Sequence, residues 1–548
     1  MLVSDYLRDV LVPANVAVAA IQRAGLPIDL EQLRRTREAW RRELAGMEAY
    51  VEGEAAKVGV ALRYSEKHGV HPPKMAAFLF RGLGLTAGKP TAKGGESTDA
   101  ESLLDYGSLT VPWTAERPGP DGQVDHPVVS AVLKIRSVAK GIGTYLDSFE
   151  RTMRPDGACH PKYNWALRTS RLSAEDPPVH QIPERSDPQV ADGVKSCIVP
   201  RVRPCLAPGR EGWDPRRHGF CFRWDISGAE AAWRAAALTD HYGVRDPIAW
   251  EYIRLGKDIH SKTASLIYDV PEGTYRKGSF ERDSVGKPSF FGQQFGGTWK
   301  ALQWQMWKEG RIRLTDEETK RIVERFAKGY SGLTALYEVD KAMLGERMDT
   351  SATDGMGNVL SWCEDPYGRV RAIPIPKDLA GYFRNGMWAA IGYSVDYELK
   401  RRLAHAFHVA ANTPTQSANA SDTQWMLALL YAGEYVELRV PPMWERGGVP
   451  YPEAAGWAMH GGPGPGGKPF QAWHCNTVHD SGWGDGAPGY LEPTAKLVTR
   501  RCTALPQDWR LAADVPYRIE LKVGPDMSDL RPYNQVAREF GLEPVEER

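Results

Sequence analysis

Strand-like segments in this 548-residue chain fall in two places far apart, and most of what lies between them reads as helix. Short segments with turn residues begin near residue 159 and lead to GFCFRWD (219–225), a strand candidate that closes on an acid. A long, mostly helical middle opens at Gly228. Beyond it come FQAWHCNTVHDSG (470–482), a strand running into a tight turn, and YRIELKV (517–523). The latter alternates Ile519, Leu521 and Val523 with Arg518, Glu520 and Lys522, the period of a half-buried antiparallel strand. Asp225 and Asp480 therefore each end a strand candidate, and pairing of those strands would bring them together. Two carboxylates held side by side can bridge a pair of Mg2+ ions about 3.5 to 4 Å apart, which activate an attacking hydroxyl and stabilise a leaving phosphate oxygen. Taken singly, either acid is more often a plain strand end.

The N-terminal part reads as helical. Gly25 can end one helix, and Asp29 with Gln32 makes a capping-box pattern that opens the next. Thr98 with Glu101 repeats that pattern, and HPVVSAVLKIRSVAKGIGTYLDSFERTM (126–153) is a further helical stretch. Its Lys134, Arg136 and Lys140 lie near one flank, either a solvated face or an edge turned towards phosphates. A helix beginning near Phe280 sets Lys287, Phe291 and Phe295 at spacings of four on one face. A cation followed by two rings suits a nucleoside triphosphate; the alternative is a core stripe with one snorkelling lysine.

Composition narrows the classes. Lys+Arg and Asp+Glu are equal at 69 each, so a polyanionic partner would need basic residues segregated onto one surface. Seven cysteines without a CxxC pair argue against a disulfide framework or a zinc site. The first residues lack a secretory pattern and no stretch approaches the ~20 apolar residues of a membrane span, so a soluble, cytoplasmic protein is expected.

Several segments resemble, in order, the motifs of family A DNA polymerases, the bacterial DNA polymerase I type. TSRLSAEDPPVHQIPER (169–185) is similar to the family's TGRLS-type signature, and WDISGAE (224–230) to motif A. KDIHSKTAS (257–265) resembles the DIH-TA element, and RDSVGKPSFFGQQFGG (282–297) motif B. NTPTQSANASD (412–422) resembles the N-P-Q-A-D stretch, and NTVHDS (476–481) motif C. PANVAVAAIQRAGLPIDLEQL (13–33) and VPYRIELKVGPD (515–526) resemble the segment entering the thumb and the closing palm strand, so the likeness covers nearly the whole chain.

The resemblance implies an α+β, right-hand polymerase fold with an antiparallel-sheet palm, helical fingers and a helical thumb. The expected division is 1–20 N-terminal palm segment, 21–155 thumb, 156–232 palm with motif A, 233–400 fingers, and 401–548 palm with motif C. It implies primer-dependent DNA synthesis from dNTPs on primer-template DNA, with two Mg2+ ions on Asp225 and Asp480. Lys287, His260 and Arg282 would meet the triphosphate, Phe291 and Phe295 the nucleotide, and Glu230 its sugar. Arg171, Gln416 and His479 would touch DNA. Because the likeness starts almost at Met1, where the family's polymerase region follows its exonuclease, no proofreading is expected.

Three departures matter. The arginine that the family places four residues before the motif B lysine is Asp283 here, with Arg282 one further back, so the helix would need a bulge to keep the arginine's role. Motif C continues with Ser481 and Gly482 where a glutamate is usual. Pro178 and His180 replace polar residues of the first signature. These departures and the missing exonuclease suggest a phage, plasmid or accessory enzyme. Rival readings are a phage-type single-subunit RNA polymerase, whose motif C also reads HDS, and a catalytically silent DNA-binding scaffold. Glu230, the Phe291-Gly292 pair and the TSRLS segment favour DNA synthesis over the first, and retained Asp225, Asp480 and Lys287 oppose the second.

Overall fold

A computed structural model describes residues 6–65, 67–87, 91, 94–104, 106–107, 126–165, 171–183, 187–205, 207, 210–310, 312, 314–365, 369–384, 397–431, 437–440, 454–457, 470–478, 480–503 and 518–546. The strand candidates do pair. β1 (Phe220–Ile226), β2 (Ala472–Val478), β3 (Ser481–Gly486), β4 (Ile519–Gly524) and β5 (Arg531–Pro532) form one antiparallel sheet in the order β2-β3-β1-β4-β5. β1 is thus central, between the two strands that come from the far end of the chain.

Alternation decides which face of β1 is buried. Phe220, Phe222, Trp224 and Ile226 point into a core shared with Leu521 and Val523 of β4. Helices α1 (Val12–Ala24), α9 (Tyr397–Tyr431), α10 (Leu491–Thr503) and α11 (Tyr533–Phe540) supply the rest, including Ile21, Leu427, Val498 and Val536. Arg223 and Asp225 fall on the opposite, half-buried face. Strand β3 reads Ser-Gly-Trp-Gly-Asp-Gly for a packing reason: a Cβ on Gly482 would lie 2.5 Å from the Trp224 ring, and one on Gly484 2.2 Å from that of Phe222. Only bare backbone lets those rings lie against β3.

The N-terminal helices form a separate packed body. α2 (Leu30–Lys57) buries Leu33, Trp40, Leu44, Met47 and Val51 against Val129, Val132, Leu133 and Ile135 of α3 (Pro127–Lys140). Asp29 caps α2 as expected, accepting from the N–H groups of Glu31 and Gln32 at 3.1 and 3.0 Å. Gln32 does not reach back to close the box; its amide meets Thr36 and Ser196 instead. The next cap sits one residue later than the Thr98 pattern implied: Asp99 accepts from Ser102 N–H at 2.8 Å. Lys134 belongs neither to a solvated face nor to a phosphate edge, because it is buried and paired with Asp187 at 2.9 Å.

The middle of the chain is helical: α4 (Pro247–Arg254), α5 (Ile259–Tyr268), α6 (Lys287–Gln293), α7 (Asp316–Gly329) and α8 (Ser331–Glu346), followed by a three-stranded antiparallel sheet over residues 349–375. All seven cysteine thiols are free and buried. Among the described residues no helix is long and apolar enough to cross a membrane.

Candidate active site

Two groups of side chains assemble. The first stands at the end of β1. Strands β2 and β3 run antiparallel, with Val478 opposite Ser481. Ser481 lies directly opposite Asp225, and Ile226 N–H donates to the Asp480 carbonyl at 3.1 Å. The register therefore brings the two acids side by side. Burial, and then the charge of Asp225, push the Asp480 carboxyl up to about 6, while Arg171 opposes the rise. Arg223 meets the Asp225 carboxylate at 2.9 Å.

From Asp225 the chain turns through Gly228, whose left-handed φ of 69° starts the helical segment bearing Glu230. The Glu230 carboxylate accepts from the Gln416 side-chain amide and lies 3.4 Å from the Arg171 guanidinium. Gln416 is buried in the polar middle of α9, where Thr415, Ser417, Asn419 and Asp422 are buried too. Glu230 is thus held in one orientation from two sides. His479 lies outside the described residues.

The second group is carried by α5 and α6. Asp258 caps α5 by accepting from His260 N–H at 3.0 Å and Ser261 N–H at 3.2 Å, and it accepts from Arg282 Nε at 2.8 Å. The His260 ring lies 5.2 Å from that of Phe291, centroid to centroid, and the Lys287 ammonium 5.8 Å from the Phe291 ring centre. Burial first, then the charges of Arg282 and Lys287, lower the His260 pKa to about 3, so its imidazole is neutral at working pH. Its Nδ1 is buried without a hydrogen-bond partner.

The off-register arginine has a structural solution. Residues Glu281–Gly286 form a π-helical turn, and Lys287 N–H donates to the Arg282 carbonyl, five residues back. The wider turn absorbs the additional residue and places Arg282 over Lys287 on the side of α6 that meets α5. Phe295 departs from the expected stripe. α6 ends at Gln293, so Phe295 is buried beyond it, with the Arg234 guanidinium 5.6 Å from its ring centre.

Sequence reasoning passed over Asp258, Arg223 and Glu520. Asp258 was readable, since an acid just before a helical run is a cap signal. Glu520 was not: it stands opposite Asp225 only because of the β1–β4 register, and it lies 3.4 Å from Lys522 and 3.8 Å from Lys277.

Comparison with known proteins bears on this arrangement. The chain is 26% identical to the thermostable DNA polymerase I of Thermus aquaticus over 266 residues, 48% of this chain and 26% of that one. It is 25% identical to the DNA polymerase of Escherichia phage T5 over 239 residues, 42% of this chain and 23% of that one. The matched part spans about a quarter of the length of these curated relatives. A solved structure, the POL domain of Pol1 from M. smegmatis in complex with DNA primer-template and dNTP, shares the fold with a TM-score of 0.65. It is 18% identical and the match covers 96% of this chain and 71% of that one. That likeness accounts for the sheet and its flanking helices as an α+β, right-hand polymerase fold with a palm, fingers and thumb. The model of DNA polymerase family A matches residues 33–423, a span that holds Asp225, Glu230 and the cluster on α5 and α6, so the chain belongs to DNA polymerase family A.

Proposed function

We propose that this chain carries out template-directed, primer-dependent DNA synthesis from dNTPs by two-metal nucleotidyl transfer. The observation that carries the reading is the juxtaposition of Asp225 and Asp480 at the open end of the sheet, in a chain of this family. The pair fits divalent cations: both donors are hard carboxylate oxygens, and their mutual repulsion, which with burial raises Asp480, is what a cation would relieve. Two protein carboxylates suit Mg2+, which keeps water and phosphate oxygens as its other ligands. When bound, such ions supply Lewis acidity that favours ionisation of a primer 3'-hydroxyl and neutralises a departing pyrophosphate.

The protein's own groups divide the remaining work. Lys287 and Arg282 offer charge-assisted hydrogen bonds to the triphosphate, and neutral His260 offers a donor without adding charge. Phe291 stacks against the incoming nucleotide, with Phe295 as a buried support beyond the helix end. Glu230, braced by Gln416 and Arg171, occupies the space a ribose 2'-hydroxyl would need, which favours dNTPs over rNTPs. Arg171, Gln416 and His479 face the primer-template, Arg171 by way of its position beside Glu230. In this reading residues 21–155 form the thumb, 233–400 the fingers, and 1–20, 156–232 and 401–548 the palm. The protein works in the cytoplasm of a bacterial or phage-infected cell.

Extension of a labelled primer with Mg2+ tests the reading, with dNTPs or rNTPs offered in parallel. Wild type should extend with dNTPs, Asp225→Ala and Asp480→Asn should be inactive, and Glu230→Ala should gain rNTP use by roughly 10- to 100-fold. Extension with rNTPs alone by the wild type would move the chain to RNA synthesis. Unaltered activity in Asp225→Ala would remove the two-carboxylate mechanism.

A further inference from the structure

The two halves of the site sit on different parts of the fold, and one side chain to which no motif assigned a role joins them. Arg518 directly precedes β4. Its carbonyl accepts from Ser227 N–H at 2.8 Å, continuing the β1–β4 ladder one step past the Ile519–Ile226 pair and only two residues beyond Asp225. Its guanidinium crosses to the loop after α4, where a terminal nitrogen donates to the Gly256 carbonyl at 2.7 Å. The fork of the guanidinium closes on the glycine: a Cβ on Gly256 would fall between the two terminal nitrogens, 1.4 Å from each and from the guanidinium carbon. Gly256 also has φ of +63° and closes α4, with its own N–H on Ile253 O and Lys257 N–H on Tyr252 O at 2.7 Å. The Arg518 Nε is buried with no hydrogen-bond partner, and the side chain is held at Gly256.

Two residues after Gly256 comes Asp258, which caps the helix of His260 and binds Arg282. A short series of fixed points therefore runs from the strand of Asp225 through Arg518 and Gly256 to the triphosphate cluster. We propose that Arg518 is a positioning residue: by gripping Gly256 it sets where His260 and Arg282 stand relative to Asp225 and Asp480. The proposal rests on the polymerase reading above. Displacement of reacting groups by about 1 Å can cost on the order of 100-fold in rate, so a tether of this kind has kinetic weight without touching substrate.

The test is single-nucleotide incorporation by wild type, Arg518→Ala, Arg518→Lys, Gly256→Ala and the Arg518→Ala/Gly256→Ala double variant. KM for dNTP and kcat are read together with primer-template affinity by fluorescence anisotropy and the thermal midpoint. Arg518→Ala should raise KM for dNTP about tenfold, with DNA affinity within about twofold of wild type and the midpoint unchanged. Arg518→Lys should not rescue, since an ammonium restores the charge but lacks the two-nitrogen fork that closes on Gly256. Gly256→Ala, which puts a methyl where the guanidinium lies, should reproduce the defect, and the double variant should be no worse than the poorer single one. A KM within about twofold of wild type in Arg518→Ala would overturn the proposal, as would a rise in KM accompanied by falls in DNA affinity and midpoint, the mark of general destabilisation. A wild type that extends no primer would instead remove the polymerase reading and the tether with it.

Discussion

At the scale of single residues, His474 shows how burial sets protonation in this protein. Its Nε2 accepts from the Trp224 indole at 2.8 Å inside the sheet core, and complete burial lowers its pKa to about 3. The folded state therefore refuses a proton that the unfolded chain binds near pH 6.5. The stability this contributes is fully present above pH 6.5 and is lost as pH falls, by about 1.4 kcal/mol per unit below that point. Between pH 7.5 and 5.5 urea unfolding of the wild type should lose at least that much. His474→Gln, whose amide oxygen can still accept from Trp224, should be less stable at pH 8 yet decline less steeply with acid. An equally steep decline in the variant would show that His474 is not the source. Asp225, Glu230 and Lys287 were legible in sequence because motif spacing marks them. His474 was not, because a histidine two residues before Asn476 carries no sign of which face of the strand it will occupy.

Elements were legible where local rules decide and illegible where register or winding decides. The alternation of YRIELKV and the acid before α2 produced the strand and cap they promised. Nothing local foretold that α6 would stop at Gln293 and bury Phe295, or that Thr98 would yield its capping place to Asp99. The π-helical turn at Glu281–Gly286 lies between these cases: the extra residue was visible, and its accommodation needed the fold. A wide turn of about 4.4 residues keeps positions five apart on one side, as a regular helix keeps positions four apart. Deleting Ser284 should therefore let the segment rewind as α-helix with Arg282 still beside Lys287. KM for dNTP should stay within about threefold of wild type, whereas Arg282→Ala, which removes a charge-assisted bond, should raise it roughly 10- to 100-fold. If the deletion is as damaging as Arg282→Ala, the turn has a purpose other than register.

For the whole molecule, the junction between the sheet and the helical middle rests on a buried ion pair. Arg234 is fully buried on the π-helical segment Ala232–Leu238 that follows Glu230, and its guanidinium meets Asp340 of α8 at 2.5 Å. Its Nε donates to the Gln294 carbonyl at 3.0 Å, just past α6, and the guanidinium packs on Phe295. One side chain thus joins the segment after motif A to both α6 and α8. Asp340 shows the strain of its place, since burial holds its carboxyl above the usual range despite the attraction of Arg234. Removing one partner leaves a charge in the core, so Asp340→Ala should cost about 3 to 5 kcal/mol in urea unfolding. Replacing both, as Arg234→Met with Asp340→Leu, fills the same space without charge and should restore most of that loss. The double variant should nonetheless incorporate nucleotides more slowly, because apolar side chains cannot reproduce the directed bond to Gln294 that aligns the end of α6 with the strand of Asp225. Recovery of stability without recovery of kcat would locate the value of the pair in alignment. Recovery of both would show that packing alone holds the segment after Glu230 to α6 and α8.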